Sequence, residues 1–313
     1  MIKNSISRTL ALAVIAAFAV TGCTNASQAG TASSSSANGT ADAAASSGNS
    51  VAVNEEARAL LPEAIKTKAV LTIASDPTYP PFEYYDTDNK TMIGWDVDMG
   101  DTLAATLGLK AEHVPATFDT ILPGLTSKKY DVGMSTFSIT AERKKQVDFV
   151  TYLKGGSAVA VKPGNPDKLA VNAEAMCGKA IAAQKGSSQS LEILPKFDKQ
   201  CTDTGKPAID IQLFPTQNDA NLALVSGRVQ GVMADSVSLA YQGKLAGGKF
   251  EVAPGPDYEP QPTGLALPKN SDLRPAIEAA MKSIIESPKY MEINNKWDLP
   301  EGTYITVDEV VQK

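Results

Sequence analysis

The sequence is poor in the residues that bind metal ions, with one histidine, three cysteines and no Cys-x-x-Cys pair. Structural zinc sites use four cysteine or histidine ligands, commonly with two of them closely spaced. His113 also lies far along the chain from Cys177 and Cys201. We therefore predict no metal site. No nucleophile and base stand in a catalytic motif either, so we predict no catalytic residue, no cofactor and no enzyme activity.

Basic residues are fewer than acidic ones, 29 against 35, which gives a net charge of -6. Proteins that bind nucleic acid usually carry a basic surface that pairs with phosphates. This balance therefore argues against nucleic acid as a partner. Loss of Lys3 and Arg8 with an N-terminal leader would make the chain more acidic still.

Long hydrophobic runs are also scarce. Residues 10–20 form an unbroken apolar run after Lys3 and Arg8, shorter than the roughly 20 residues that span a bilayer. This layout predicts a signal peptide over residues 1–22. The sequence Val20-Thr21-Gly22-Cys23 resembles the lipobox of bacterial lipoproteins. That resemblance implies lipidation of Cys23 and anchoring to the outer face of the cell membrane. An ordinary cleavage site beside a chance cysteine is the alternative.

Large apolar side chains are missing from residues 24–50, which are almost wholly Ser, Ala, Thr, Gly and Asn, with Asp42 as the one charge. Such a composition has nothing with which to build a core. We therefore predict that residues 23–53 form a lipidated, disordered tether. The globular body should follow it.

Cys177 and Cys201 remain once Cys23 is assigned to lipid. An exported protein lies in an oxidising compartment, where thiols pair, so we predict a disulfide between them. Two unpaired thiols are the alternative.

Strand-like and helix-like segments alternate along the body. "AVLTIASDP" and "DVGMST" are typical of strands, whereas "GWDVDMGDTLAATLGLK" and "FDTILPGLTSKKY" are typical of helices, with Asp96 and Asp119 as expected N-caps. A second series of strands and helices begins near Lys162. This alternation predicts an α/β fold with parallel sheets. Ligands in such sheets bind at the carboxyl ends of the strands.

Seven short motifs occur together in a fixed order between about residues 70 and 297. They are "SDPTYPPFEY", "IGWDVDMGDTLAATLGL", "FDTILPGLTSKKYDV", "SITAERKKQVDF", "AAQKGSSQ", "SGRVQGVMADS" and "NNKW". In this order and spacing the chain resembles the amino-acid-type (family 3) extracellular solute-binding proteins of ABC importers. The leader, tether and cysteine pair are similar to actinobacterial members.

This resemblance implies a type II periplasmic-binding-protein fold of two lobes joined by two hinge crossovers. Each lobe would have a mostly parallel sheet flanked by helices. Lobe 1 would comprise residues 68–159 and 263–313, and lobe 2 residues 160–262. We expect a monomer that binds an amino acid between the lobes and partners the permease and ATPase subunits of an ABC transporter.

The resemblance also assigns the residues that would hold the ligand's α-carboxylate and α-ammonium. Arg143 matches the carboxylate-binding arginine of the family, and its planar guanidinium suits that task. Ser188, at a helix start, would add a backbone N–H. Asp235 matches the acidic partner of the ammonium, with Ser138 and the Thr136 carbonyl as further acceptors. A solvated basic surface residue is the alternative for Arg143, and a helix N-cap is the alternative for Asp235.

Four more positions would face the ligand side chain. Tyr79 and Phe118 match aromatic positions that sandwich it, although core packing is the alternative for both. Asp76 matches a position facing the distal end of the side chain, where a carboxylate would attract a cation or an amide. Gln184 offers both a donor and an acceptor. We therefore expect a polar or basic ligand such as arginine, lysine, histidine or glutamine, although Asp76 is also a common turn residue.

One departure from the family pattern lies next to these positions. Thr136-Phe137 replaces a more usual Gly-Met pair, which predicts a narrower cleft. Two other functions stay open. One is an enzyme resembling cyclohexadienyl dehydratases on the same scaffold, with Glu83 or Asp76 as general acid. The other is a receptor module that reports ligand occupancy to a membrane sensor.

Overall fold

The computed structural model describes residues 51–311. The predicted signal peptide, the lipidation site at Cys23 and nearly all of the tether lie outside this region and stay predictions. Among the described helices, none combines the length and apolar character that a membrane crossing requires.

The described chain alternates strands and helices as expected. The strands are β1 (Val70–Ser75), β2 (Thr78–Tyr79), β3 (Glu83–Tyr85), β4 (Met92–Ile93), β5 (Lys110–Pro115), β6 (Val132–Ser138), β7 (Val147–Val161), β8 (Ala180–Gln184), β9 (Asp210–Phe214), β10 (Gly231–Asp235), β11 (Glu251–Val252) and β12 (Tyr258–Pro268). The α-helices are α1 (Glu55–Ala59), α2 (Glu63–Lys68), α3 (Trp95–Thr106), α4 (Phe118–Thr126), α5 (Arg143–Gln146), α6 (Ala173–Met176), α7 (Leu194–Asp203), α8 (Gln217–Ser226), α9 (Ser236–Leu245), α10 (Arg274–Glu286) and α11 (Pro288–Lys296). A π-helical turn, Gln189–Ile193, precedes α7.

Nine strands of the described region form one sheet, in the order β5-β1-β6-β12-β7-β10-β8-β9, with β11 paired to β7. β1 pairs in parallel with β5 and β6, and β8 pairs in parallel with β9 and β10. Between these parallel sets lie the long strands β7 and β12, which are antiparallel to each other and to their outer neighbours. The predicted lobe boundaries, after residues 159 and 262, fall inside these two continuous strands and stay predictions.

The inner strands β6 and β10 are almost wholly buried. Every residue of β6 is buried, and all of β10 except Asp235 is buried. Strands covered on both faces are typical of parallel sheets with helices on either side. A buried hydrogen bond also joins the C-terminal helices to α3. Trp95 of α3 is fully buried and donates from Nε1 to Asn294 Oδ1 of α11 at 2.7 Å.

Both N-cap predictions are wrong by two residues. Helix α3 begins at Trp95 after Gly94, which places Asp96 within the first turn, and α4 begins at Phe118 after Thr117. Asp96 is buried there, whereas Asp119 forms a salt bridge of 2.8 Å with Lys185. Each carboxylate therefore has a partner elsewhere in the fold instead of capping its helix.

The disulfide prediction is confirmed. Cys177, at the end of α6, is bonded to Cys201 of α7, 24 residues later. The bond lies beside the core of the second parallel set, where Cys201 is fully buried.

Candidate functional site

The two parallel sets direct their carboxyl ends toward one cavity. Asp76 follows β1, and Ser138, Gln184 and Asp235 end β6, β8 and β10. These strand ends surround one small cavity. Its lining includes all the predicted ligand-contacting residues except Asp76, namely Tyr79, Phe118, Thr136, Ser138, Arg143, Gln184, Ser188 and Asp235.

Arg143 is held rigidly beside this cavity. Its side chain donates from Nη1 to the Ser138 carbonyl at 2.8 Å and from Nη2 to the Gly186 carbonyl at 2.9 Å. The guanidinium carbon lies 5.5 Å and 5.4 Å from the ring centres of Phe118 and Phe137. Only 6% of the residue is exposed, so the alternative of a solvated surface arginine does not describe it.

Burial also acts on the charge of Arg143. It lowers the pKa of the guanidinium to about 10, against the opposing effect of Asp235 and Glu192. The group stays protonated at neutral pH. A buried cation with unused N–H donors stabilises an anion that enters the same space.

Asp235 faces the cavity from the second parallel set. Its Oδ2 accepts from the Tyr79 hydroxyl at 2.9 Å and its Oδ1 accepts from Gln189 Nε2 at 3.0 Å. Asp235 is the N-cap residue of α9, yet its side chain makes no capping hydrogen bond. Burial raises the pKa of this carboxyl to about 6, with Arg143 acting in the opposite direction. The side chain therefore faces the cavity instead of capping the helix.

Asp76 lies behind the cavity wall, with 3% of its surface exposed. Its Oδ2 accepts from Gln184 Nε2 at 2.7 Å and from the Phe118 N–H at 3.1 Å, and its Oδ1 accepts from the Thr78 hydroxyl at 2.9 Å. Burial raises the pKa of Asp76 to about 6. The two predicted selectivity residues are thus hydrogen-bonded to each other, and Asp76 also contributes to the turn that contains Thr78.

Hydroxyl groups and aromatic rings complete the wall. Ser138 Oγ lies 3.2 Å from Ser188 Oγ, across 50 residues of chain. Phe118 stacks on Phe137 with ring centres 4.8 Å apart. Phe137 is fully buried and lies outside the lining, and the narrower cleft expected from Thr136-Phe137 stays a prediction.

Two glutamines that line the cavity have no role in the sequence-based prediction. Gln189 donates to Ser157 Oγ at 2.8 Å and to Asp235, so it connects β7 to the acidic end of the site. Gln217, at the start of α8, is fully buried, and its Oε1 has no hydrogen-bond partner within residues 51–311. The signal for Gln189 is its place in "AAQKGSSQ", immediately after Ser188.

The enzyme alternative depends on Glu83 or Asp76. Glu83 has no exposed surface and lies behind Ser135, whose hydroxyl donates to Glu83 Oε1 at 2.5 Å. Neither carboxyl belongs to the cavity lining. Within residues 51–311, no group of His, Cys, Asp and Glu side chains is arranged to hold a metal ion.

Comparisons with known proteins agree with this architecture. Residues 71–300 match the family model for bacterial extracellular solute-binding proteins, family 3. The chain is 32% identical over 247 residues to the arginine-binding protein ArgT of Corynebacterium glutamicum, which covers 79% of this chain and 80% of that protein. It is 26% identical over 235 residues to the L-cystine-binding protein TcyJ of Escherichia coli K12, which covers 74% and 84%.

A solved structure gives the same result. An ancestral arginine-binding protein bound to arginine matches with a TM-score of 0.65 and 32% identity, over 73% of this chain and 98% of that one. The type II periplasmic-binding-protein fold expected from the sequence is thereby confirmed. The chain belongs to the bacterial extracellular solute-binding proteins, family 3.

Proposed function

We propose that this protein binds a free amino acid, with basic and amide side chains preferred, in the cavity between the two parallel sets and delivers it to an ABC import permease. The observation that carries this proposal is the placement of one buried cation, Arg143, and one buried carboxyl, Asp235, on the same cavity. A free amino acid has the complementary pair of charges. Removing both of its charges from water requires such partners.

The carboxylate end would contact Arg143, with the Ser188 N–H adding a second donor. The ammonium end would contact Asp235, with Ser138 and the Thr136 carbonyl as further acceptors. Arg143 bonds Gly186, and Ser138 lies beside Ser188. These contacts join residues assigned to lobes 1 and 2, so a ligand that uses both sides would favour closure of the cleft.

Asp76 provides the preference for a basic ligand. Arginine carries one negative and two positive charges, which matches Arg143, Asp235 and Asp76. The Asp76 carboxyl lies directly behind Gln184 and would attract a distal cation across that side chain, whereas Gln184 itself would contact the ligand and could also accept an amide. Two of the relatives are named for binding arginine and cystine, and we propose arginine as the first candidate.

Asp76→Asn is expected to lower arginine affinity by at least about thirtyfold, because the buried distal cation would lose the negative charge that lies behind Gln184. Glutamine affinity should change much less, since the asparagine still has an oxygen that accepts from Gln184. Isothermal titration with both ligands measures this difference. Asp86→Asn, the same change at an exposed position, serves as control. Equal losses for arginine and glutamine would show that Asp76 supports the turn instead of selecting the ligand.

We favour delivery of the ligand to a permease over reporting of the ligand to a sensor. Both roles would use the same binding site. Lipid attachment at Cys23 would keep the protein beside its membrane partners. Co-purification of the full-length protein with permease subunits or with a receptor kinase distinguishes the two roles. A dehydratase would need a general acid in the cavity, and Glu83 is buried away from it.

A further inference from the structure

A pair of buried carboxyl groups, absent from the proposed ligand contacts, lies behind the cavity wall. Glu83 of β3 is fully buried and Asp96 of α3 is 1% exposed. The two carboxyls are anchored to adjacent residues of β6, Glu83 to the Ser135 hydroxyl and Asp96 to the Thr136 N–H. Their remaining oxygens, Glu83 Oε2 and Asp96 Oδ1, are buried with no hydrogen-bond donor among the described residues. Two ionised carboxylates buried this close together repel each other, and a proton between the two unpaired oxygens would remove one charge and supply the missing donor.

The surroundings favour that proton. Burial raises the pKa of Glu83 well above its usual range, and the charge of Asp96 raises it further. The titratable groups that face the pair are Asp76, Tyr79 and Tyr152, which supply no positive charge. Asp96 accepts hydrogen bonds from Tyr152 and Thr136. The two carboxyls therefore titrate as one unit that retains a single proton.

The outer oxygens of the pair hold the end of β6. Asp96 Oδ2 accepts from the Thr136 N–H at 3.0 Å and from the Thr136 hydroxyl at 3.1 Å. Glu83 Oε1 accepts from the Ser135 hydroxyl, whose oxygen in turn accepts from the Asp76 N–H at 3.1 Å. The pair therefore holds two backbone positions. Asp96 binds the Thr136 N–H directly, and Glu83 is linked to the Asp76 N–H through the Ser135 hydroxyl.

Thr136 needs this support. Its φ of 51° is in the left-handed region, which a β-branched residue rarely adopts. The resemblance expects glycine there, and glycine would adopt this conformation without strain. In this chain the two hydrogen bonds to Asp96 compensate for the missing glycine.

We propose that Glu83 and Asp96 are positioning residues of the ligand site, which share one proton and thereby fix Ser135 and Thr136 in the orientation that the ligand ammonium requires. This inference rests on the proposed function for the role of Thr136, whereas the shared proton does not depend on it.

The shared proton is tested on the ligand-free protein with Glu83→Gln. At mildly alkaline pH the infrared spectrum of the wild type should contain the carbonyl band of a protonated carboxyl, and the variant should lack it. Because the folded pKa of Glu83 is raised, its contribution to stability is fully present below about pH 4.3 and is lost as pH rises through the folded pKa. As pH rises, the unfolding midpoint of the wild type should therefore fall relative to that of the variant. If the wild type and Glu83→Gln had the same intensity of this carbonyl band, and if their unfolding midpoints changed in parallel with pH, the shared proton would be overturned.

The positioning role is tested by arginine affinity in Glu83→Gln and Glu83→Leu. The glutamine amide donates to Asp96 and its carbonyl accepts from Ser135, so affinity should stay within about threefold of the wild type. Leucine makes neither hydrogen bond, so the Glu83→Leu variant should bind arginine at least tenfold more weakly. This is about the effect of leaving one buried polar group without a partner. Glu112→Leu, at an exposed position, is the control.

The outcomes separate the two proposals. Unchanged affinity in a folded Glu83→Leu variant would overturn the positioning role. If that variant does not fold, a loss beyond tenfold in Glu83→Gln would overturn it instead. If the wild type binds no amino acid, the proposed function fails and takes the positioning role with it, while the infrared and pH measurements still judge the shared proton.

Discussion

Arg143→Ala is expected to weaken binding of the amino-acid ligand by at least about a hundredfold, or roughly 3–5 kcal/mol. The ligand carboxylate would be buried without its charged partner, and two backbone carbonyls, of Ser138 and Gly186, would lose their donors. Isothermal titration with arginine measures the loss. Arg143→Lys should recover only part of it, because one ammonium group does not replace a planar fork that bonds both sides of the cleft.

Lys144→Ala is the matched control for Arg143. It removes a positive charge from the neighbouring position, where the side chain is exposed, and affinity should stay within about threefold. Circular dichroism of each variant establishes that it is folded. If Arg143→Ala bound arginine as tightly as the control, the guanidinium would have no part in ligand recognition.

Asp235→Asn is expected to lower affinity by at least about thirtyfold, since the ligand ammonium would lose a buried charged partner worth about 2–5 kcal/mol. The asparagine oxygen still accepts from one of Tyr79 and Gln189, so the change acts mainly on charge. The reduction should be similar for arginine and glutamine, because both carry the α-ammonium. This separates Asp235 from Asp76, whose replacement should affect arginine selectively.

Asp257→Asn provides the comparison for Asp235. Asp257 is exposed, accepts from Ser236 at 2.7 Å and lies near Asp235. Its neutralisation tests whether any nearby negative charge supports binding, and we expect affinity to stay within about threefold. Equal losses of ligand affinity in both variants would show that the negative charge of the region as a whole, and not direct contact with Asp235, supports binding.

Much of the fold follows from local sequence patterns. The buried runs of β6 and β10 and the ordered motifs predict two parallel sets, and residues at strand ends meet because parallel strands end at one edge. Gln189 was missed because its role depends on Ser157 and Asp235, 32 and 46 residues away. The motif "AAQKGSSQ" marks the position of Gln189, but no local pattern reports the two distant contacts.

Asp96 illustrates a different limit. Local pattern predicts an N-cap, because Asp commonly begins helices. The helix instead starts at Trp95, and the first turn directs the carboxyl of Asp96 toward Thr136, 40 residues later. The substitution of threonine for glycine at 136 is visible in the sequence, but the support that allows it lies in tertiary structure.

The measurement that tests the central claim most directly is a thermal-shift panel of the standard amino acids with ornithine, citrulline and cystine, on the purified protein. A ligand at a hundred times its dissociation constant adds about 2.7 kcal/mol to the free energy of unfolding. We expect the shift to be largest with arginine and confined to basic and amide side chains. The absence of a shift with every compound would contradict amino-acid binding, and a shift confined to acidic or apolar side chains would contradict the assignment of Asp76.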